Sequence, residues 1–282
     1  MFASPMVGLA HGVGMPQLGY GLYKVPPEDA ERLAAEAIAA GYRSLDTAAM
    51  YGNEAGVGRA VRAAMLDGDA SGRLDRAEVF ITTKVWNTDH GYDTTLRAFD
   101  LSQDALGLDV VDLYLIHWPC PQRDRYVETY RALIRLLEDG RVRAIGVSNF
   151  QPEHLRRLVD ETGSVPMVNQ IELHPWLQQR ELRDLHAELG IATEAWSPLA
   201  RGKVLDDPVL REIAAAHGVS VAQTVIRWHL SQGTIVIPKA SSAARIRENS
   251  EVFGFDLTPE DLERIAGLDR GFRSGSHPDA VN

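Results

Sequence analysis

The sequence predicts an α/β fold, a (β/α)8 TIM barrel with an N-terminal β-hairpin and two extra helices. Three observations carry this expectation. Strand-like apolar runs alternate with helix-like segments along the 282 residues, the pattern of a parallel sheet. Eight such units can be counted, the number that closes a barrel, although counting alone also admits an open doubly wound sheet. The connections are too short for a linker, and one barrel takes roughly 250 residues, so residues 1–282 are expected to form one domain.

The elements follow in order. Met6 to Ala10, His11-Gly12 and Val13 read as a short hairpin. Leu18 to Leu22 is the first barrel strand, and alanine-rich Glu28 to Ala40 is a helix stopped by Gly41, a residue suited to the left-handed position after a helix. Ser44 to Asp46 is a strand, Asn53 to Leu66 a helix, Val79 to Thr83 a strand, and Thr94 to Leu106 a helix ended by Gly107. Val110 to Ile116 is the longest apolar strand. The next helix places Tyr126, Tyr130, Leu133, Ile134 and Leu137 on one face and ends at Gly140. Ala144 to Val147 is a strand, Pro152 opens a helix carrying Leu155, Leu158 and Val159, and Met167 to Ile171 is a strand. Leu182, Leu185 and Leu189 mark a helix ahead of Gly190, and Ile191 to Trp196 is a strand. Two helices then run in succession, Pro208 to His217 and Ser220 to Ser231. Thr234 to Ile237 is the last strand and Ser242 to Asn249 the last barrel helix. Thr258-Pro259-Glu260-Asp261 combines an N-cap, Pro at N1 and acids in the first turn, which starts a further helix. Asp269 to Asn282 is a Gly/Ser/Pro-rich loop.

Composition narrows the function. The chain is 45% hydrophobic and 24% charged, as soluble globular proteins are. A net charge of −10 argues against nucleic-acid binding but leaves room for a local cationic pocket. With Cys120 alone no intrachain disulfide forms, Cys₄ and Cys₂His₂ zinc sites are excluded, and a cytoplasmic location is expected. No metal is expected. Met1 to Pro5 shows no leader pattern and no apolar run spans a membrane. Gly56-Val57-Gly58 lies inside a helical pattern without a third glycine, so it reads as helix packing rather than a dinucleotide fingerprint.

Asp46, Tyr51, Lys84 and His117 sit at or just past the ends of strand-like runs. In a parallel barrel those ends share the face on which active sites are built. Singly, each has an ordinary reading: a loop cap, a rim aromatic, a solvated strand end, a core histidine. Jointly they make an acid–base device. Tyr51 donates a proton, Lys84 lowers the phenol pKa, Asp46 holds Lys84, and His117 orients a carbonyl. A proton donor beside a carbonyl suggests reduction, with a cofactor supplying hydride.

Tyr42 to Glu54, read as Tyr-Arg-Ser-Leu-Asp-Thr-Ala-Ala-Met-Tyr-Gly-Asn-Glu, resembles the aldo-keto reductase signature. So do Leu113 to Pro119, Ile145 to Phe150, Asn169 to Glu172, Trp196 to Leu199, and Ile237 to Lys239 with Arg245, Glu248 and Asn249. The likeness spans nearly the whole chain and looks most like the bacterial 2,5-diketo-D-gluconic acid reductase branch, helped by Gly19 to Pro26. It implies an NADPH (NADP+) dependent oxidoreductase with Asp46, Tyr51, Lys84 and His117 as the catalytic tetrad. Ser148, Asn149 and Gln170 would bind the nicotinamide carboxamide, and Trp196 would stack on the ring. Ser197 to Lys203, including Leu199, Arg201 and Gly202, would cover the pyrophosphate. Lys239, Ser241 and Arg245 would hold the 2′-phosphate, and Glu248 and Asn249 the adenine. Ala200, Ala240 and Ser242 depart from the usual Gly, Ser and Arg, and the last two remove phosphate contacts, which leaves room for some NADH use.

By the same resemblance, Tyr23, Met50, Trp86, Asn87, His117, Trp118 and the tail from Phe272 to Pro278 line the substrate pocket. The expected partner is a small aldehyde, ketone or α-dicarbonyl, in the manner of 2,5-diketo-D-gluconate, handled by a monomer. Two rival readings stand beside this one: the same chemistry run as alcohol oxidation, and a cofactor-binding redox sensor or scaffold with little turnover.

Overall fold

The computed structural model describes residues 4–66 and 72–282; the part of the leader reading that rests on Met1 to Ala3 lies outside them. Eight short parallel strands run in chain order: β3 (Tyr20–Gly21), β4 (Ser44–Asp46), β5 (Phe80–Val85), β6 (Val111–Ile116), β7 (Val142–Ser148), β8 (Val168–Glu172), β9 (Ala192–Trp196) and β10 (Ile235–Val236). Each pairs with the next, for example Leu45 beside Ile81 and Leu113 beside Ala144. The ring closes where Leu18 bridges Val236. There Gly19 N–H donates to the Val236 carbonyl at 2.9 Å, and Val236 N–H to the Gln17 carbonyl at 2.9 Å. That closure decides between the barrel and the open sheet.

The first strand, Tyr20–Gly21, is shorter than Leu18 to Leu22, and its backbone runs close to the last strand at the seam. A Cβ on Gly21 would lie 2.9 Å from the Ile237 carbonyl oxygen, so only glycine fits that approach. The N-terminal hairpin, β1 (Met6–Gly8) against β2 (Gly14–Pro16), plugs the opposite end. Val13 and Met15 pack there on Phe80, Met167, Val168 and Ile235, near the strand N-termini.

Among the described residues ten helices surround the strands: α1 (Pro27–Ala40), α2 (Glu54–Leu66), α3 (Tyr92–Leu106), α4 (Tyr126–Glu138), α5 (Pro152–Thr162), α6 (Arg180–Leu189), α7 (Pro208–His217), α8 (Val221–Ser231), α9 (Ala243–Ser250) and α10 (Pro259–Ala266). Gly41, Gly107 and Gly190 take the left-handed backbone at helix ends. Tyr126, Tyr130 and Leu133 are buried on the inner face of α4, and Ile134 and Leu137 are partly so. Asp207 caps α7 by accepting from Val209 and Leu210 N–H, and Thr258 caps α10 by accepting from Asp261 N–H. The two helices in excess of one per strand, α7 and α10, form a satellite core with the loop after β9. Leu210, Ile213 and Ile265 meet Ala200 and Val204 there.

The glycines of α2 serve packing, as their sequence context implies. A Cβ on Gly56 would press on Ala30 of α1 at 2.8 Å, and one on Gly58 would overlap the Leu106 carbonyl. No helix among the described residues is long and apolar enough to cross a membrane.

Candidate active site

The strand C-termini gather the four acid–base residues. Lys84, fully buried on β5, donates to both carboxylate oxygens of Asp46 at 2.7 and 2.8 Å and to the Thr47 carbonyl at 2.8 Å. Tyr51 ends a one-turn helix, residues 49–51, immediately after β4. Two features hold that turn: Gly52 in the left-handed region and the buried Asn53. The Asn53 amide donates to the Leu22 and Val25 carbonyls, both at 3.0 Å, and its oxygen accepts from Thr47 Oγ1 at 2.5 Å. The Tyr51 hydroxyl ends 3.5 Å from His117 Nε2, and Lys84 Nζ lies 5.4 Å from the centre of the Tyr51 ring.

Burial sets the protonation states. His117 is held well below the ordinary imidazole range by burial, then by the Lys84 charge and His90. It is a neutral ring at working pH, able to offer an N–H to an oxygen without adding charge. Tyr51 departs from the sequence reading. Its phenol is pushed well above its usual value by burial first, then by Asp46, Tyr23 and Glu194. The Lys84 ammonium, paired with Asp46, does not outweigh these effects. Tyr51 is therefore a neutral phenol that keeps its proton. It can still protonate an oxygen on which alkoxide charge develops, since alkoxide is a much stronger base than phenolate.

A cavity of about 940 Å³ opens over these groups, the size of a large ligand site. Asp46, Tyr51 and His117 form its floor at one end, beside Tyr23, Met50, Trp86 and Trp118. Lys84 stays behind Asp46, out of the wall. Asn87 is also outside the wall: its side chain is buried, and its carbonyl accepts from Arg123 at 2.9 Å. Of the tail segment Phe272 to Pro278, Ser276 alone reaches the cavity, joined by Val281 further on.

The middle of the cavity is a knit of amides. Ser148 Oγ donates to the Gln170 carbonyl at 2.8 Å. Asn149, in a left-handed backbone with φ 65°, donates to the His117 carbonyl at 3.0 Å and accepts from Trp196 Nε1 at 2.8 Å. Gln170 Nε2 donates to Asp46 at 2.7 Å and to Glu194 at 2.9 Å. The loop after β9 then turns sharply: Ser197, Ala200 and Arg201 all have positive φ. Such backbone is uncommon for residues other than glycine and gathers at functional sites. Ala200, where glycine would be unstrained, is buried with φ 46°. Ser197, Leu199, Arg201 and Gly202 all line the cavity; Lys203 turns away over the Phe272 ring, 4.8 Å from its centre.

The far end holds Lys239, Ser241, Arg245, Glu248 and Asn249. Lys239 Nζ donates to Ser241 Oγ. Lys239, Arg245 and Arg201 have no carboxylate partner among the described residues, a local cationic end in an acidic protein. An anionic, elongated ligand with one amide end fits this donor set. Sequence reasoning did not find the start of α8, where Ser220 to Ala222 form part of the wall, nor Glu194, which lies inside a strand without a motif around it.

Comparison with known proteins settles the class. The model of the Aldo/keto reductase family matches residues 11–270. The chain belongs to the aldo/keto reductase family. It is 54% identical over 279 residues to an aldo-keto reductase of Mycobacterium sp. (strain KMS), covering 99% of this chain and 98% of that one. It is 50% identical over 281 residues to the methylglyoxal reductase DkgA of Yersinia pestis, covering 99% and 98%, in keeping with the branch resemblance. A crystal structure of a Gox0644 mutant in complex with NADPH superposes over 100% of both chains with a TM-score of 0.93 at 46% identity. The barrel, the hairpin and the oxidoreductase class expected from sequence all stand on these findings.

Proposed function

We propose that this aldo/keto reductase uses NADPH to reduce aldehydes, ketones or α-dicarbonyls, 2,5-diketo-D-gluconate-like compounds included, to alcohols. One observation carries the reading: the Tyr51 hydroxyl and His117 Nε2 stand 3.5 Å apart on the floor of the cavity, above the buried Lys84–Asp46 pair. A carbonyl oxygen placed between them receives hydrogen bonds from both a phenol and a neutral imidazole. As negative charge grows on that oxygen, Tyr51 passes its proton across. The Lys84 ammonium then lies 5.4 Å from the ring that carries the phenolate and stabilises it.

When bound, the nicotinamide supplies the hydride. Ser148, Asn149 and Gln170 hold its carboxamide, and Trp196, kept upright by its bond to Asn149, presents a flat face for stacking. Arg201 and Gly202 serve the pyrophosphate. Lys239, Ser241 and Arg245 serve the 2′-phosphate, with Glu248 and Asn249 at the adenine. Tyr23, Met50, Trp86 and Trp118 form the wall against the substrate, which suits small carbonyls with a flat or apolar body. The dicarbonyl preference is supported by the relative named for methylglyoxal reduction. The residues of the reading all lie on one barrel, which supports one domain, and the buried thiol Cys120 suits a reducing cytoplasm.

The test is turnover. Purified protein with NADPH and methylglyoxal should consume NADPH and yield the matching hydroxy-carbonyl. Tight NADPH binding without consumption, across a panel of aldehydes, ketones and dicarbonyls, contradicts the reading.

A further inference from the structure

We propose that Glu194 is a positioning residue of the reductase site. It takes one hydrogen of the Gln170 amide while Asp46 takes the other, which fixes the Gln170 carbonyl oxygen as the end presented to the cavity. This rests on the reductase reading of the same cavity.

The geometry is specific. Gln170 Nε2 stands 2.7 Å from Asp46 Oδ2 and 2.9 Å from Glu194 Oε2. A primary amide has two N–H donors, and here both are spoken for by carboxyl oxygens. The amide cannot turn over, because its oxygen would then face Asp46, which only accepts. What remains for the cavity is an acceptor, the complement of an N–H donor on a bound ligand. Asp46 is thus held by Lys84 on one side and by Gln170 on the other. Glu194 is the back stop of that chain, pointing into the barrel from β9 between Gln170 on β8 and Ile235 on β10.

The charge state of Glu194 then matters to the site. Glu194 is fully buried, and its Oε1 has no hydrogen-bond partner. The charged groups facing it are Asp46 from β4 and Lys84 from β5, with the amide of Gln170 from β8. The β10 neighbours Ile235 and Val236 are apolar. Burial first, then the Asp46 charge, pushes its carboxyl up to about 8. Below that, Glu194 is a neutral acid, Oε1 carries the proton, and the Lys84 and Asp46 charges balance. Above it, one ammonium faces two carboxylates, and the second negative charge makes the Tyr51 phenol hold its proton more tightly. The site therefore slows at alkaline pH while Tyr51 itself is still protonated.

The experiment measures turnover of methylglyoxal and, separately, NADPH affinity by fluorescence titration, from pH 6.5 to 9.5. It uses the wild type, Glu194→Gln and Glu194→Leu. Glu194→Gln keeps a carbonyl acceptor for Gln170 and removes the ionisation. The wild-type rate, normalised to pH 7, should fall several-fold through a one-proton step near 8; the Glu194→Gln rate should lack that step. Glu194→Leu should bind NADPH about tenfold more weakly at every pH, the effect of one buried hydrogen bond, and Glu194→Gln should restore the affinity. An alkaline step shared by the wild type and Glu194→Gln overturns the proposal. So does its absence from the wild type, or unweakened NADPH binding by Glu194→Leu. Failure of the wild type to turn over at any pH counts against the reductase reading instead, and the binding titration still decides the role of Glu194.

Discussion

Removing the ammonium of Lys84 should cost the fold and the reaction in separable ways. Lys84 is completely buried and makes three bonds, two to Asp46 and one to the Thr47 carbonyl. Lys84→Met keeps most of the side-chain volume but leaves the Asp46 carboxylate buried with the Gln170 amide as its remaining side-chain donor. Breaking such a pair by deleting one partner costs roughly 3–5 kcal/mol, a large part of a typical stability of about 5–15 kcal/mol. Asp46→Asn, which strands the ammonium instead, should cost a similar amount. The double variant has no buried charge left and should lose far less than the two singles together, with a coupling of about 3 kcal/mol. Urea unfolding at pH 7 measures all four species as a double-mutant cycle. Turnover should stay lost in the double variant even as stability returns, since no ammonium faces Tyr51. Additive losses, with a coupling below about 0.5 kcal/mol, would refute the claim that these two charges hold each other in the core.

Two further outcomes follow from the same structure. Arg245→Ala should raise the Kd for NADPH by roughly tenfold or more, as loss of a charge-assisted bond does, and leave NADH nearly unchanged; equal losses for both would remove Arg245 from the 2′-phosphate end. Acidification should destabilise the fold, because burial holds His117 and His229 well below the usual imidazole range and His90 and His186 at about 4. The unfolded chain binds those protons and the folded one does not, so stability falls as pH drops below the ordinary imidazole value of about 6.5. Glu54 and Glu194, whose carboxyls burial pushes up, oppose this by taking protons in the fold, but they are fewer. A net loss of about 2–3 kcal/mol per pH unit near pH 5.5 is expected from urea midpoints; a flat profile there would mean these rings are charged in the native state.

The fold was legible because its signals are local. Helix ends announced themselves through Gly41, Gly107 and Gly190, and strands through apolar runs such as Val111 to Ile116. The seam was less so: the first and last strands are two residues each, and a Cβ on Gly19 or Gly21 would crowd Ile237 across the closure. No sequence window holds that contact. The four acid–base residues were legible from their strand-end positions. The direction of the Tyr51 shift was not, because it depends on how deeply the barrel buries the phenol and on the acids gathered around it. Asn87 reads like a pocket residue from its place after Trp86, yet its side chain turns into the protein. Glu194 is invisible in sequence for a plain reason. One acid inside a strand says nothing until the barrel brings Gln170 and Asp46 against it. The cofactor groove came from resemblance, since Arg201, Lys239 and Arg245 are ordinary surface-type residues until the loop and α9 turn them to one wall.

The central claim is that Tyr51 gives the proton, and Tyr51→Phe tests it most directly. The ring packs on Tyr23 and His117 with centroids 5.2 and 5.6 Å away, and the hydroxyl has one long contact, to His117. Phenylalanine keeps the packing, so NADPH affinity and stability should hold. The rate of NADPH oxidation with phenylglyoxal should fall by about 10²–10⁴, the range for a lost general acid. A variant that binds NADPH as the wild type does and still turns over at more than about a tenth of its rate would contradict the account.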